Sequence, residues 1–418
     1  MIIVQNACIK AREVLDSRGN PTVEAEIILN NHIIRAIVAS GASTGKYEAL
    51  ELRDKDKRYN GKGVLKAVKN VSRISNALKG INLTKQKEID EKIIKLDATK
   101  NKTKLGANAM LAASMACLRA GALLKKKPLY QYISEISGRK PSIPIPFCNV
   151  INGGKHADNK LKMQEFMIVP IGLKSFSESV MIVSETYHTL KRLVSKKYGM
   201  SGVGDEGGFA PRINNAFDAL ELITKAIKKS GHEKNIRIAL DPAASEFYKD
   251  GKYVIEKTLT GGEMVDYYAE LVKKYPIISI EDPFDQDDFE PYTELTRKIG
   301  SKIQIVGDDL LVTNTERIRK AVDLKLCNAL LLKPNQIGTV TEAIDAANLA
   351  FKSGWNVMVS HRSGETEDSF IADLATGLGC GQIKLGAPCR GERTCKYNQL
   401  LRIEEQLGKR AYARWKNR

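Results

Sequence analysis

Cysteine is scarce in this chain and follows no pairing pattern. The seven cysteines (Cys8, Cys117, Cys148, Cys327, Cys380, Cys389 and Cys395) make an odd count with no C-x-x-C spacing. That argues against a disulfide framework and against a cysteine-based zinc site. No run of about 18 uninterrupted apolar residues occurs, so no membrane span is expected. The nearest candidate, 107–124, contains Asn108 and Arg119 and is alanine-rich, which predicts a tightly packed buried helix. The start, Met1-Ile2-Ile3-Val4-Gln5, lacks a basic region followed by a long apolar core, so no secretory signal is expected. With the unpaired thiols, this predicts a reducing cytoplasmic location. Acidic residues are outnumbered, 49 Asp plus Glu against 66 Lys plus Arg, a net charge of +17. The basic pairs, such as Lys191-Arg192 and Lys228-Lys229, are scattered on polar faces of expected helices and read as a solvated surface. Only 409–418 is a compact basic cluster. Nucleic-acid or surface polyanion binding therefore stays open as an additional role, with no motif to support it.

What remains is ordinary globular composition, 43% hydrophobic and 28% charged, over 418 residues. At roughly 150 residues per domain, the length suits two or three domains, or one small domain and one barrel. Residues 1–136 open with strand-like segments: 23–29 alternates, and 33–38 follows across Asn30-Asn31, predicting a hairpin. Helical periodicity then covers 63–78 and 108–124. A small α+β domain is expected. The stretch 137–146, with Gly138, Pro141, Pro144 and Pro146, predicts a linker, and 137–418 the second domain.

That second region contains eight short apolar runs, at 143–150, 166–169, 236–240, 277–280, 303–306, 329–332, 357–360 and 382–385. The last five recur about every 25–30 residues, one strand-plus-helix unit each. Eight units predict a (β/α) barrel. Ionisable residues mark the ends of successive runs: Asp241, Glu281, Asp308, Lys333, His361 and Lys384. In a parallel barrel these ends open on one face, where catalytic groups gather. Glu165 precedes its run instead of following it. If it shares the same mouth, that strand must run antiparallel to its neighbours.

Three crowded carboxylates, Asp241, Glu281 and Asp308, resist ionising together unless a cation relieves them. All-oxygen ligands favour Mg²⁺; the alternative is a salt-bridge network with Lys333 and Lys384. Beside a bound dication the pKa of Lys333 is expected to fall towards neutrality, making it a general base for a proton α to a carboxylate. The Ser40–Gly45 loop lacks P-loop spacing and suits a mobile lid. The segment 152–157 is a second candidate lid. Gly202-Val203-Gly204-Asp205-Glu206-Gly207 matches G-x-G-x-x-G only formally, because a helix is expected before it and two acids would repel a pyrophosphate. Its carboxylates better suit a general acid. Arg362 and Ser363 are suited to phosphate.

These residues resemble the enolase family over nearly the whole chain. The resemblance rests on 16–24 (DSRGNPTVE), the Ser40–Gly45 loop, 204–208 (GDEGG), 279–283 (SIEDP), Gly307-Asp308-Asp309, 332–338 and 360–368 (SHRSGETED). It implies reversible dehydration of 2-phosphoglycerate to phosphoenolpyruvate. Lys333 is then the base at C2, and Glu206 the acid for the departing hydroxyl, with Glu165 beside it. Asp241, Glu281 and Asp308 are implied to hold one Mg²⁺, and Ser43 to help hold a second, two per active site. Lys384, Arg362 and Ser363 would face the substrate, and His156 and His361 would lie near it and its leaving group. The resemblance also implies an α+β domain before a barrel with one antiparallel strand, and a homo-oligomer, dimer or octamer, with Glu24 and Arg402 meeting across the dimer interface. Pro334 and Cys389 depart from the family pattern. A related lyase acting on another carboxylate would have no use for Arg362 or the Ser40–Gly45 lid.

Overall fold

A computed structural model describes residues 8–29, 31–42 and 45–415. The chain opens with a three-stranded antiparallel sheet, β1 (Ile9–Leu15), β2 (Pro21–Leu29) and β3 (His32–Ile37), with β2 central. The expected hairpin pairs Leu29 with His32. Asn31 takes a left-handed φ of 65°, a conformation that asparagine tolerates in tight turns; Asn30 lies outside the described residues. The alternation in β2 turns Val23, Ala25 and Ile27 inward, where they meet helix α3.

Four helices follow: α1 (Leu65–Ala77), α2 (Gln86–Asp97), α3 (Ala107–Leu124) and α4 (Leu129–Ser137). Helix α3 is the alanine-rich segment. Among the described residues it is the one helix long and apolar enough to cross a membrane, and 83% of it is buried inside the protein. Small side chains let it pack against β2, β3 and α1 at once. Gly121 shows how closely: a Cβ there would come within 2.6 Å of the Leu83 carbonyl oxygen.

The remaining chain builds a closed eight-stranded barrel. Strands β4 (Ile145–Asn152) and β5 (Glu165–Pro170) are followed by helices α5 (Phe176–Tyr198) and α6 (Ala216–Lys229) and strand β6 (Ile236–Asp241). A small excursion, β7 (Tyr248–Lys249), β8 (Lys252–Val254) and β9 (Thr258–Leu259), precedes α7 (Gly261–Lys274). Then come β10 (Ile277–Glu281), α8 (Phe289–Ile299), β11 (Gln304–Gly307), α9 (Thr315–Asp323) and β12 (Ala329–Leu332). The barrel closes with α10 (Val340–Lys352), β13 (Asn356–Ser360), α11 (Phe370–Gly377) and β14 (Gly381–Lys384), and α12 (Gly391–Leu407) follows.

All eight apolar runs are barrel strands. β5 pairs antiparallel with both β4 and β6, whereas the other barrel pairs are parallel. The register sets Glu165 directly opposite Asp241. Reversing β5 therefore brings its first residue to the mouth where the other strands end.

Candidate active site

The strand ends line a narrow cleft at the barrel mouth. Its walls include His156, Glu165, Glu206, Asp241, Asp308, Lys333, His361, Arg362, Ser363 and Lys384. Glu281 stands beneath them, its Oε1 2.9 Å from Lys384 Nζ. Ser43, expected to help hold a second metal, lies outside the described residues.

Lys384 ends β14 and is almost fully buried. Its Nζ contacts Asp241 Oδ2 at 2.7 Å, Glu281 Oε1 at 2.9 Å and Glu165 Oε1 at 3.0 Å. Burial alone would lower its pKa, but the three carboxylates outweigh burial and hold the ammonium well above its ordinary value. Glu281 is raised, because burial and its neighbours Asp241 and Asp308 oppose a negative charge more than Lys384 and Lys333 favour it. Its second oxygen, Oε2, is buried without a hydrogen-bond partner. The salt-bridge network weighed as the alternative to a metal is thus present in this structure.

Asp308 is set by a local device that the sequence analysis missed. Asp282 adopts a φ of 38°, costly for a residue other than glycine. In return its Oδ1 accepts from the Asp308 amide at 2.9 Å and its Oδ2 from the Asp309 amide at 2.6 Å, while Tyr292 donates at 3.2 Å. Burial and Asp308 push the Asp282 carboxyl up to about 7. Asp308 Oδ2 accepts from Lys333 Nζ at 2.5 Å, and its Oδ1 accepts from Gln336 at 2.9 Å. Although burial opposes its charge, Lys333 holds the Asp308 carboxyl low. Among the described residues, the tight acidic groups are Asp282–Asp308–Asp309 and His156–Glu165–Glu206, each with ligand atoms within 4.8 Å of one another. Asp241 and Glu281 instead meet at Lys384. Lys333 also differs from the expectation for a metal-loaded site: burial would lower its pKa, but Asp308 outweighs burial and raises it.

On the other wall, His156 Nδ1 lies 3.6 Å from Glu206 Oε1 and 3.9 Å from Glu165 Oε1. Asn149, on β4, donates to Glu206 Oε2 at 3.0 Å. Burial and the charge of Glu206 raise Glu165 well above the carboxylate range. Burial works on Glu206 too, but His361, His156 and Lys384 outweigh it and hold that carboxyl low. Two neighbouring carboxyls split in this way share one proton, held by Glu165 in this arrangement. Burial lowers His156, and burial with nearby Arg393 lowers His361 to about 4.

The third wall carries a cation. Arg362 is 5% exposed and donates to both oxygens of Glu48, at 3.1 and 3.2 Å, and to Asn335 at 3.1 Å. Ser363 Oγ accepts from the Ala42 amide at 2.6 Å, tying the expected lid to this wall. Sequence reasoning missed Asp282, Glu48, Gln336, Asn149 and Arg393. Asp282 and Gln336 carried a signal, since they lie in the motif segments 279–283 and 332–338.

A barrel with one reversed strand, whose mouth gathers buried acids, two lysines and an arginine, defines an acid–base enzyme for a small anionic substrate. The two parts of the chain match two family models, the enolase N-terminal domain over residues 7–133 and the enolase C-terminal TIM barrel domain over residues 140–417. An enolase of Methanocaldococcus jannaschii is 57% identical over 410 residues, covering 97% of this chain and 96% of that protein. An enolase of Mastigamoeba balamuthi is 58% identical over 420 residues, 96% of each chain. One of Eimeria tenella is 56% identical over 430 residues, 97% of each. The chain belongs to the enolase family, the phosphopyruvate hydratases, which are lyases.

Proposed function

We infer that the mouth of this barrel dehydrates 2-phosphoglycerate to phosphoenolpyruvate, reversibly, with the roles expected from the sequence. The observation that carries this reading is the convergence of Lys333, the Glu165–Glu206 pair and Arg362 on one cleft. They supply a base, a proton for the leaving group and a phosphate holder.

The donor set fits Mg²⁺. Asp241, Glu281 and Asp308 offer only carboxylate oxygens, and Glu281 keeps one buried oxygen with no partner. These three would hold one ion, and Ser43 would help to hold a second. When bound, Mg²⁺ supplies positive charge against the substrate carboxylate and stabilises charge developing at C2. Asp308 now fixes Lys333 as an ammonium. With Asp308 holding a cation, Lys333 would lose the partner that raises its pKa and could accept the C2 proton at Nζ. Lys384 stays charged beside the same carboxylates and adds to the field that favours the dianionic intermediate. The single proton of the Glu165–Glu206 pair, held by Glu165 in this arrangement, would move to Glu206 and from there to the departing hydroxyl, leaving both carboxyls ionised. Arg362 exchanges Glu48 for the substrate phosphate, with Ser363 beside it.

The same reading divides the chain at 136/137 into a capping domain and the barrel. It also makes the protein a cytoplasmic homo-oligomer, dimer or octamer. Glu24, already held by Arg12, would meet the exposed Arg402 of a second copy. Absorbance at the phosphoenolpyruvate band, followed from 2-phosphoglycerate with and without a chelator, tests the reaction. Mg²⁺-dependent growth of the band is expected; a flat trace with Mg²⁺ present would overturn the assignment.

A further inference from the structure

Arg393, on the first turn of α12, has 0% exposure and no role in the reading above. Its two terminal nitrogens nevertheless make four polar contacts beside the cleft, while Nε is buried without a hydrogen-bond partner. Nη1 lies 2.6 Å from His361 Nδ1 and donates to the Arg362 carbonyl at 2.6 Å. Nη2 donates to the Ser363 carbonyl at 2.7 Å and to the Asp205 carbonyl at 3.0 Å. These four contacts use all four Nη hydrogens. One side chain thereby ties the segment preceding Glu206 to the segment carrying His361, Arg362 and Ser363. Its stem packs closely on Gly386, where a Cβ would come within 2.8 Å of Arg393 Cδ.

A guanidinium has only donors and stays protonated in proteins. The ring nitrogen facing it must therefore accept, so His361 Nδ1 carries no hydrogen. A neutral imidazole then has its hydrogen on Nε2. That atom is buried, has no hydrogen-bond partner, and faces Glu206 Oε1 at 3.5 Å. A second proton on Nδ1 would have to point into a buried cation.

We propose that Arg393 is a positioning residue that locks His361 in its neutral Nε2–H tautomer, making His361 a fixed hydrogen-bond donor at the leaving-group side of the cleft and never a base there. The assignment deepens the hydratase reading and rests on it for the identity of the leaving group. The tautomer itself does not depend on that reading. Lysine could keep the donor at Nδ1 but could not hold all three carbonyls, because its three hydrogens radiate from one atom. Methionine would fill similar space with no donor.

The test is ¹⁵N NMR of the full-length protein labelled at histidine, with the His361 signals assigned by their loss in His361→Gln. In the unsubstituted protein, Nε2 is expected to be protonated and Nδ1 bare at neutral pH. In Arg393→Met, His361 is expected to lose this single tautomer, and kcat/KM to fall about 10–100-fold, the scale known for partners that orient metal-bound histidines. Arg393→Lys is expected to keep the tautomer and recover part of kcat, while KM stays raised through the loosened Arg362 and Ser363 carbonyls. If the methionine variant does not fold, the unsubstituted spectrum and the lysine variant decide. A proton on Nδ1 in the unsubstituted protein overturns the proposal. So does a folded Arg393→Met protein with either its tautomer or its kcat unchanged. Failure of the hydratase reading would show separately, as an unsubstituted protein with the expected tautomer and no phosphoenolpyruvate formed.

Discussion

Lys384 Nζ lies 2.7 Å from Asp241 Oδ2 and 2.9 Å from Glu281 Oε1, so one ammonium occupies the place where two expected metal ligands meet. This contact explains how so many acids stay buried at one barrel mouth. Removing the ammonium leaves uncompensated buried charge, which costs about 3–5 kcal/mol. Lys384→Met is therefore expected to lower the melting temperature in chelator and to lose activity. Mg²⁺ should raise that temperature more in the variant than in the parent, because Asp241 and Glu281 have then lost the ammonium between them. Equal Mg²⁺-induced shifts in the two proteins would show that these acids do not hold the ion.

Arg362 gives a prediction about affinity. It donates twice to Glu48 in this structure, and a phosphate would take over those donors. Charge-assisted hydrogen bonds contribute roughly 1.5–3 kcal/mol. Arg362→Ala should raise KM for 2-phosphoglycerate roughly 10–100-fold. Glu48→Gln, which weakens the competitor and keeps the arginine, should change KM far less. An unchanged KM in Arg362→Ala would move the phosphate elsewhere in the cleft.

Asp373, on α11 far from the chemistry, should shape the pH dependence of stability. Burial pushes its carboxyl from the ordinary 3.8 up to about 6, against the pull of Arg119 and Gln399. Between those values the folded state keeps a proton that the unfolded chain has lost. Stability therefore falls as pH rises through this window, by about 3 kcal/mol for a shift of about two units. Below the window both states are protonated, and the penalty vanishes. Asparagine still accepts from Gln399 but does not titrate. Asp373→Asn is expected to raise the urea midpoint at pH 7.5 and leave it nearly unchanged at pH 4. Parallel pH profiles for the two proteins would contradict this.

The one-dimensional pattern of the chain carried the barrel well and the contacts poorly. Apolar runs such as 329–332 and 357–360 identified strands because buried barrel strands are short and continuously hydrophobic. The position of Glu165 before its run marked β5 as reversed, since only a reversed strand brings its first residue to the mouth. Strand β1 and helices α2 and α4 were not read from the sequence, although Leu129, Tyr132, Ile133 and Ile136 recur at helical spacing in α4. Within the site, residues at strand ends were legible because position and charge coincide there. Arg393 was not, because a buried arginine on a helix looks like any solvated one until His361, 32 residues away, is seen against it. Glu48 and Arg362 are 314 residues apart, and no spacing rule links them. The raised Lys333 is also a matter of geometry, for Asp308 reaches it only because Asp282 holds the turn after β11.

Proton NMR follows the C2 proton of the substrate, the atom that Lys333 would remove. Dissolved in heavy water with Mg²⁺, the parent protein should exchange the C2 proton of 2-phosphoglycerate for deuterium. Lys333→Ala should still bind substrate but exchange it at least about 10²–10⁴-fold more slowly, the contribution of a positioned general base. Exchange at the parent rate in Lys333→Ala would rule out Lys333 as the base at C2.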